Sequence, residues 1–156
     1  MAIFDLLKEE HDQIRELLAI MQTEGKKGEA FEQGRTKVET HMDGEEEHVY
    51  PEVRAVGLKT ETLEAVEEHH VARMVLGELD DMSDREETWP SKLGVFAELV
   101  EHHIRQEERN VFPEAARRIS RARQQELEDE YRRFTSALVQ AGTSLPKSES
   151  PFYQGV

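Results

Sequence analysis

Apolar residues in this chain recur at steps of three and four, the period of a helix that turns one face to a core. Ile3, Phe4, Leu7, His11, Ile14, Leu18 and Met21 follow that step and predict a helix from residue 3 to about residue 23, broken by Gly25 to Gly28. A second helix is predicted from about Glu29 to Ala55, with Phe31, Val38, His41, Glu45, Val49 and Val53 on one face. Pro51 lies near its end and should kink or terminate it, and Gly57 marks the stop. A third runs from about Thr60 to Met82, lined by Val66, His69, Ala72, Leu76 and Leu79. After a polar turn at 83–88, Pro90 suits the first turn of a fourth helix, and Trp89 beside it reads as an anchor. That helix carries Phe96, Val100, His103, Glu107 and Val111 and meets Pro113 near its end. A shorter helix is expected from roughly Ser120 to Gln140, with Leu127, Tyr131, Phe134 and Leu138 inward.

No alternating strand pattern or hairpin turn interrupts these segments. The expected fold is therefore all-α: an up-down-up-down four-helix bundle over residues 1–118, with an additional C-terminal helix over 119–141 packed along one side. Residues 142–156, rich in Ser, Pro and Gly, read as a flexible tail.

Composition narrows the chemistry. The 156 residues suffice for one core, and 35% charged against 37% apolar residues suit amphipathic helices with solvated outer faces. Cysteine is absent, which removes disulfides, thiolate metal sites and a cysteine nucleophile. A net charge of −14 repels phosphate backbones and anionic lipid, so neither nucleic acid nor membrane is an expected partner. The start, MAIFDLLKEE, lacks the basic and apolar regions of a signal peptide, so the cytoplasm is the expected compartment.

Seven histidines remain, and their positions repeat. His41-x3-Glu45-Glu46-x2-Val49-Tyr50-Pro51-Glu52 matches His103-x3-Glu107-Glu108-x2-Val111-Phe112-Pro113-Glu114. Glu9-Glu10-His11-x3-Arg15-x2-Leu18 likewise matches Glu67-Glu68-His69-x3-Arg73-x2-Leu76. The chain thus reads as two related helical hairpins, each with one lone His and one His-x3-Glu pair. Residues four apart on a helix lie about 6 Å apart along the axis and about 40° around it, so both side chains can reach one ion. Each pair sits on an apolar face, where an unpaired carboxylate costs several kcal/mol or takes up a proton. Four histidines and two carboxylates placed there by a twofold repeat need a common partner, and a pair of cations supplies it. Imidazole and carboxylate without thiolate suit iron, manganese or zinc, and two shared carboxylates favour metals roughly 3.5–4 Å apart.

This doubled pattern resembles the hemerythrin-like, or HHE cation-binding, family over roughly residues 5 to 115. The resemblance rests on His11, His41, Glu45, His69, His103 and Glu107 with the trailing Val-Tyr-Pro and Val-Phe-Pro. It implies a four-helix bundle around two non-haem iron ions, bridged by the two Glu and an oxo or hydroxo group, that reacts with dioxygen and related small ligands. The oxygen carriers of that family have a second His one turn after the third-helix ligand, where this chain has Arg73. One metal position is then open or taken by water, Tyr50 or His70. An open position favours turnover of peroxide or nitric oxide over reversible oxygen carriage, with catalase-like peroxide removal as the concrete form. A sensing or binding module without turnover is the alternative, and a monomer or weak homo-oligomer the expected state.

A rival di-metal spacing, Glu-x2-His, occurs at Glu45/His48 and Glu67/His70, but the fourth helix lacks it. His48 and His70 read as surface or rim residues, and Arg15 and Arg73 as surface ion-pair residues whose repetition leaves room for a role behind a metal ligand. Glu46, Glu47 and Glu108 read as solvated, or as carboxylates that orient a ligand imidazole.

Overall fold

The computed structural model describes residues 2–142. The chain forms α1 (Ile3–Glu24), α2 (Glu29–Gly44), α3 (Tyr50–Ala55), α4 (Lys59–Asp81), α5 (Trp89–Gln106), α6 (Phe112–Arg118) and α7 (Arg121–Ala141). Wide π-turns at Glu45–Val49 and Glu107–Val111 join α2 to α3 and α5 to α6. Four rods result: α1, the α2–α3 rod, α4 and the α5–α6 rod. They form the expected all-α bundle, and α7 lies along α1 and α2 as the extra helix. Beyond Gly142 the expected tail lies outside the described residues.

Local chemistry explains the ends. Gly25 takes the left-handed conformation, at φ 64°, that closes α1. Ser120 caps α7 by accepting from the Arg123 N–H at 3.2 Å. Pro90 occupies the first turn of α5, and buried Trp89 packs on Phe31 with ring centroids 5.3 Å apart.

Of the two outcomes expected at Pro51, a kink or a stop, the stop does not occur. Pro51 and Pro113 neither terminate nor break their rods. Each stands in the first turn of a renewed α-helix, directly after a π-turn. The Tyr50 N–H reaches the Glu45 carbonyl and the Phe112 N–H reaches that of Glu107, both five residues back. The wider turn makes room for a ring that would otherwise press on the carbonyl four residues earlier. It also offsets helical drift. Successive four-residue steps in an α-helix rotate by about 40° each, yet His41, Glu45, Val49 and Val53 all stay buried.

Two apolar layers sandwich the middle of the bundle. One contains Ile3, Leu7, Val53, Val66, Phe112 and Leu127. The other contains Ile14, Leu18, Phe31, Val38, Leu76 and Phe96. The histidines and glutamates of the repeat lie between them.

The docking of α7 depends on one glycine. A Cβ on Gly44 would overlap the Tyr131 ring and lie 2.8 Å from Thr135 Cγ2. Gly44→Ala is expected to cost about 1–3 kcal/mol, by the usual penalty of overpacking. Gly77→Ala, where a Cβ meets nothing within 4 Å, should instead stabilise by up to about 1 kcal/mol. Urea unfolding of both variants checks this.

Candidate metal centre

The wide turns begin at the two repeat carboxylates, so each rod presents its His from the last α-turn and its Glu from the first residue of the π-turn. His11 arrives from α1 and His69 from α4. All six side chains are at least nine-tenths buried. They form two sets that share Glu45: His11, His41, Glu45 and Glu107, and Glu45, His69 and His103. Within each set the candidate ligand atoms lie within 4.8 Å of one another.

The distances show which atoms face inward. Glu45 Oε1 lies 3.2 Å from His41 Nε2 and 3.3 Å from His69 Nε2. Glu107 Oε1 lies 3.3 Å from His11 Nε2 and 3.2 Å from His103 Nε2. His69 Nε2 and His103 Nε2 are 3.0 Å apart. Two imidazole lone pairs at that separation repel unless a proton or cation lies between them. His11 Nε2, His41 Nε2, Glu45 Oε2 and Glu107 Oε1 are buried with no hydrogen-bond partner. Buried polar atoms are rarely left so, and here they converge on one spot. The donor set and its unmatched atoms suit a pair of cations.

Each imidazole is held from behind by a carboxylate. His11 Nδ1 pairs with Glu108 at 2.9 Å, His41 Nδ1 with Glu10 at 2.9 Å, His69 Nδ1 with Glu46 at 3.0 Å and His103 Nδ1 with Glu68 at 2.9 Å. An ionised carboxylate only accepts, so every Nδ1 carries the proton, and the Nε2 lone pair is left for a metal. Such carboxylates fix the ring and raise its basicity.

The remaining motif residues steady these carboxylates. Arg15 Nη2 donates to Glu108 at 3.0 Å, and Arg73 Nη2 pairs with Glu46 at 2.6 Å and Asp43 at 2.7 Å. Arg73 is therefore not a surface residue; its side chain is 15% exposed. Glu46 is buried and not solvated. The signal for these roles was in the repeat itself, because Glu10/Glu68, Glu46/Glu108 and Arg15/Arg73 all recur with the histidines they serve.

Tyr50 reaches the cluster. Its hydroxyl lies 2.6 Å from Glu107 Oε2, 3.2 Å from Glu45 Oε1 and His69 Nε2, and 3.3 Å from His103 Nε2. Its repeat partner Phe112 has no donor and stacks on His11, with centroids 5.6 Å apart and planes 18° apart. His70 belongs to neither set. His48 turns outward against Phe134 at 5.0 Å, so the Glu-x2-His arrangement does not form. A residue outside the repeat also arrives: the Tyr131 hydroxyl of α7 donates to Glu10 Oε1 and lies 3.2 Å from His41 Nδ1. A cavity of about 20 Å³, lined by Ile14, Val38, Met42, Ala72 and Val100, adjoins His41, His69 and His103.

Without metal, protons take the place of cations. Burial alone would lower the pKa of His41, but the charge of Glu45 and hydrogen bonds to Glu10 and Glu45 raise it to about 10. Burial opposes ionisation of Glu10 too, yet the bond from His41 and the charges of His41 and Lys37 hold it at about 2. His103 is likewise raised and Glu45 held well below its ordinary value, in each case against desolvation. The Tyr50 phenol is pushed up by burial and by the charge of Glu107 and Glu45.

Two consequences have definite signs. The Glu10 contribution to stability is present above its ordinary pKa of 4.5 and lost as pH falls toward 2. The His41 contribution is complete below 6.5 and lost as pH rises through about 10. From these two groups, metal-free protein is expected to be most stable between 4.5 and 6.5, as urea unfolding across pH would show. Metal uptake must expel the extra imidazolium protons. It should therefore release protons at pH 7, measurable by calorimetry in buffers of different ionisation enthalpy, and tighten as pH rises.

A helical bundle with imidazoles and carboxylates turned inward on a shared point belongs to the cation-binding class of bundles. The chain is a member of the hemerythrin HHE cation-binding domain family, whose model matches residues 2–115. It is also similar to a DNA nickase of Nostoc sp. (strain PCC 7120 / SAG 25.82 / UTEX 2576), at 24% identity over 143 residues. That match covers 90% of this chain but 41% of the nickase, so the chain spans less than half of that relative's length. No solved structure matches the chain. Among the described residues, no helix is long and apolar enough to cross a membrane.

Proposed function

We propose that this chain is a non-haem di-iron protein that binds or processes a small oxidant: dioxygen, hydrogen peroxide or nitric oxide. The observation that carries this reading is the pair of buried ligand sets joined at Glu45. His11 and His41 would hold one ion, His69 and His103 the other, with Glu45 and Glu107 between them. Mixed imidazole and carboxylate donors in that number suit iron better than tetrahedral zinc, and manganese has the same donor preferences. Bound iron would supply redox chemistry and a Lewis-acidic point for a small ligand.

The protein residues have distinct tasks in this reading. Glu10, Glu46, Glu68 and Glu108 hold the four imidazoles in the tautomer that presents Nε2. Tyr50 would complete the His69–His103 half, its hydroxyl, which donates to Glu107 Oε2 at 2.6 Å, giving up its proton to solvent as the cation binds. A nearby cation would lower the phenol's pKa, reversing the effect of the two carboxylates. Phe112 offers no donor beside His11, and the room for an external ligand is the cavity beside His41, His69 and His103. The cavity of about 20 Å³ accepts a molecule no larger than water or a diatomic gas, and its apolar lining excludes bulk solvent.

Catalase-like peroxide removal is the concrete form. Iron-loaded protein should evolve oxygen from peroxide faster than an equal amount of free iron, and equality with free iron would defeat that form. Tyr50→Phe should keep the metal content but abolish a broad visible charge-transfer band, read by absorption spectroscopy. A band unchanged in the variant would exclude Tyr50 as a ligand. A net charge of −14 opposes contact with phosphate, which argues against DNA nicking and nucleic-acid binding.

A second reading, a module whose metal occupancy is sensed by a partner, is favoured by the direct bond between α7 and the centre through Tyr131 and Glu10. Hydrogen exchange along α7, compared with and without iron, tests it. Equal protection in both states would argue against a sensor.

A further inference from the structure

The repeat makes the two hairpins nearly equivalent, so the places where equivalence fails are informative. Two of them lie beside one imidazole. Four residues before His41 stands Lys37, and four before His103 stands Leu99. Before Glu45 stands Gly44, and before Glu107 stands Gln106. The hairpin with the glycine is the one on which α7 lies, because only a residue without a side chain leaves room for the Tyr131 ring.

These differences converge on Glu10. Its carboxylate accepts from three donors: His41 Nδ1 at 2.9 Å, Lys37 Nζ at 3.0 Å and the buried Tyr131 hydroxyl. Its counterpart Glu68 holds His103 at 2.9 Å, but its other partner is His102 Nε2 at 3.6 Å. Glu68 is 32% exposed and Glu10 is 12% exposed. One imidazole is thus held by a carboxylate fixed on three sides and shielded. The other is held by a carboxylate that faces solvent.

We propose that Tyr131, on the helix beyond the matched family region, is a positioning residue that locks His41 through Glu10 and slows release of the metal that His41 would hold. The inference rests on the di-iron reading. Tyr131 touches no metal-facing atom. It acts by removing the rotational freedom of Glu10, and with it the freedom of the imidazole that Glu10 holds. Residues that orient metal ligands from behind typically change metal affinity 10–100-fold, which sets the scale.

The test is release of iron from the fully loaded protein to an excess of chelator, followed by absorbance. Wild type should lose its two irons in two phases. Tyr131→Phe should speed one phase about tenfold and leave the other within about twofold, while Glu68→Gln should speed the other phase. Leu127→Ala loosens α7 packing without touching Glu10, and should lower the melting temperature with both phases unchanged. Both phases unaffected by Tyr131→Phe, or both accelerated equally, would overturn the proposal. A second readout needs no metal. By nitrogen-15 NMR of the metal-free protein, Tyr131→Phe should speed solvent exchange of the His41 Nδ1 proton and spare that of His69. No change at His41 would contradict the link. A wild-type protein that takes up no iron overturns the di-iron reading and this inference together. The NMR result would then still report whether Tyr131 holds His41.

Discussion

Glu45→Ala is expected to reduce the metal content from two ions per chain to one or fewer. One carboxylate oxygen stands 3.2 Å from His41 Nε2, 3.3 Å from His69 Nε2 and 3.9 Å from His103 Nε2, so its loss affects both halves at once. Glu107 Oε1 also reaches both halves, at 3.3 Å from His11 Nε2 and 3.2 Å from His103 Nε2, but among the described residues Glu45 is the one shared by both ligand sets. The affinity for the remaining ion should fall more than 100-fold, beyond the 10–100-fold usual for residues that only orient a ligand. Glu46→Ala, which frees His69 Nδ1 without removing a metal-facing atom, should fall inside that lower range. Metal analysis after anaerobic iron loading and dialysis reads both. Equal losses in the two variants would mean that Glu45 does not bridge.

Removal of the metal should produce the second large effect, on stability. At a free-ion concentration of about 1,000 times the dissociation constant, binding adds about 4 kcal/mol to the folded state. A domain of this size gains roughly 2–4 °C in melting temperature per kcal/mol, so chelation should lower it by about 10 °C. The metal-free bundle should still fold, because two apolar layers flank the site and protons partly replace the cations. His41 is the clearest instance, with its pKa near 10 beside Glu45. Scanning calorimetry with and without metal measures the shift. An unchanged melting temperature would mean that the buried histidines and glutamates satisfy each other without ions.

Much of this architecture is legible in sequence, for physical reasons that differ by element. The rods are visible because each buries one stripe, and a stripe has a period. The six inward side chains are visible because His and Glu occupy stripe positions where apolar residues belong, and do so twice. The wide turns at Glu45 and Glu107 are not visible, since a four-residue step cannot distinguish a bond to the fourth residue back from one to the fifth. Pro51 and Pro113 mark the places, yet a proline alone reads as a break. The burial of Arg73 is only half visible: charge suggests surface, and nothing in a helical pattern shows that Asp43 and Glu46 receive it. The repeat of Arg15 and Arg73 was the available sign. Tyr131 reads simply as a core position of the last helix, and its hydroxyl's partner lies 121 residues away on α1.

Iron content per chain, measured together with the iron–iron distance by X-ray absorption on anaerobically loaded protein, tests the central claim most directly. The account predicts two irons per chain separated by roughly 3.5–4 Å, the spacing of metals that share carboxylate ligands. One iron, none, or two with no iron neighbour in that range would contradict a dinuclear centre built on Glu45 and Glu107.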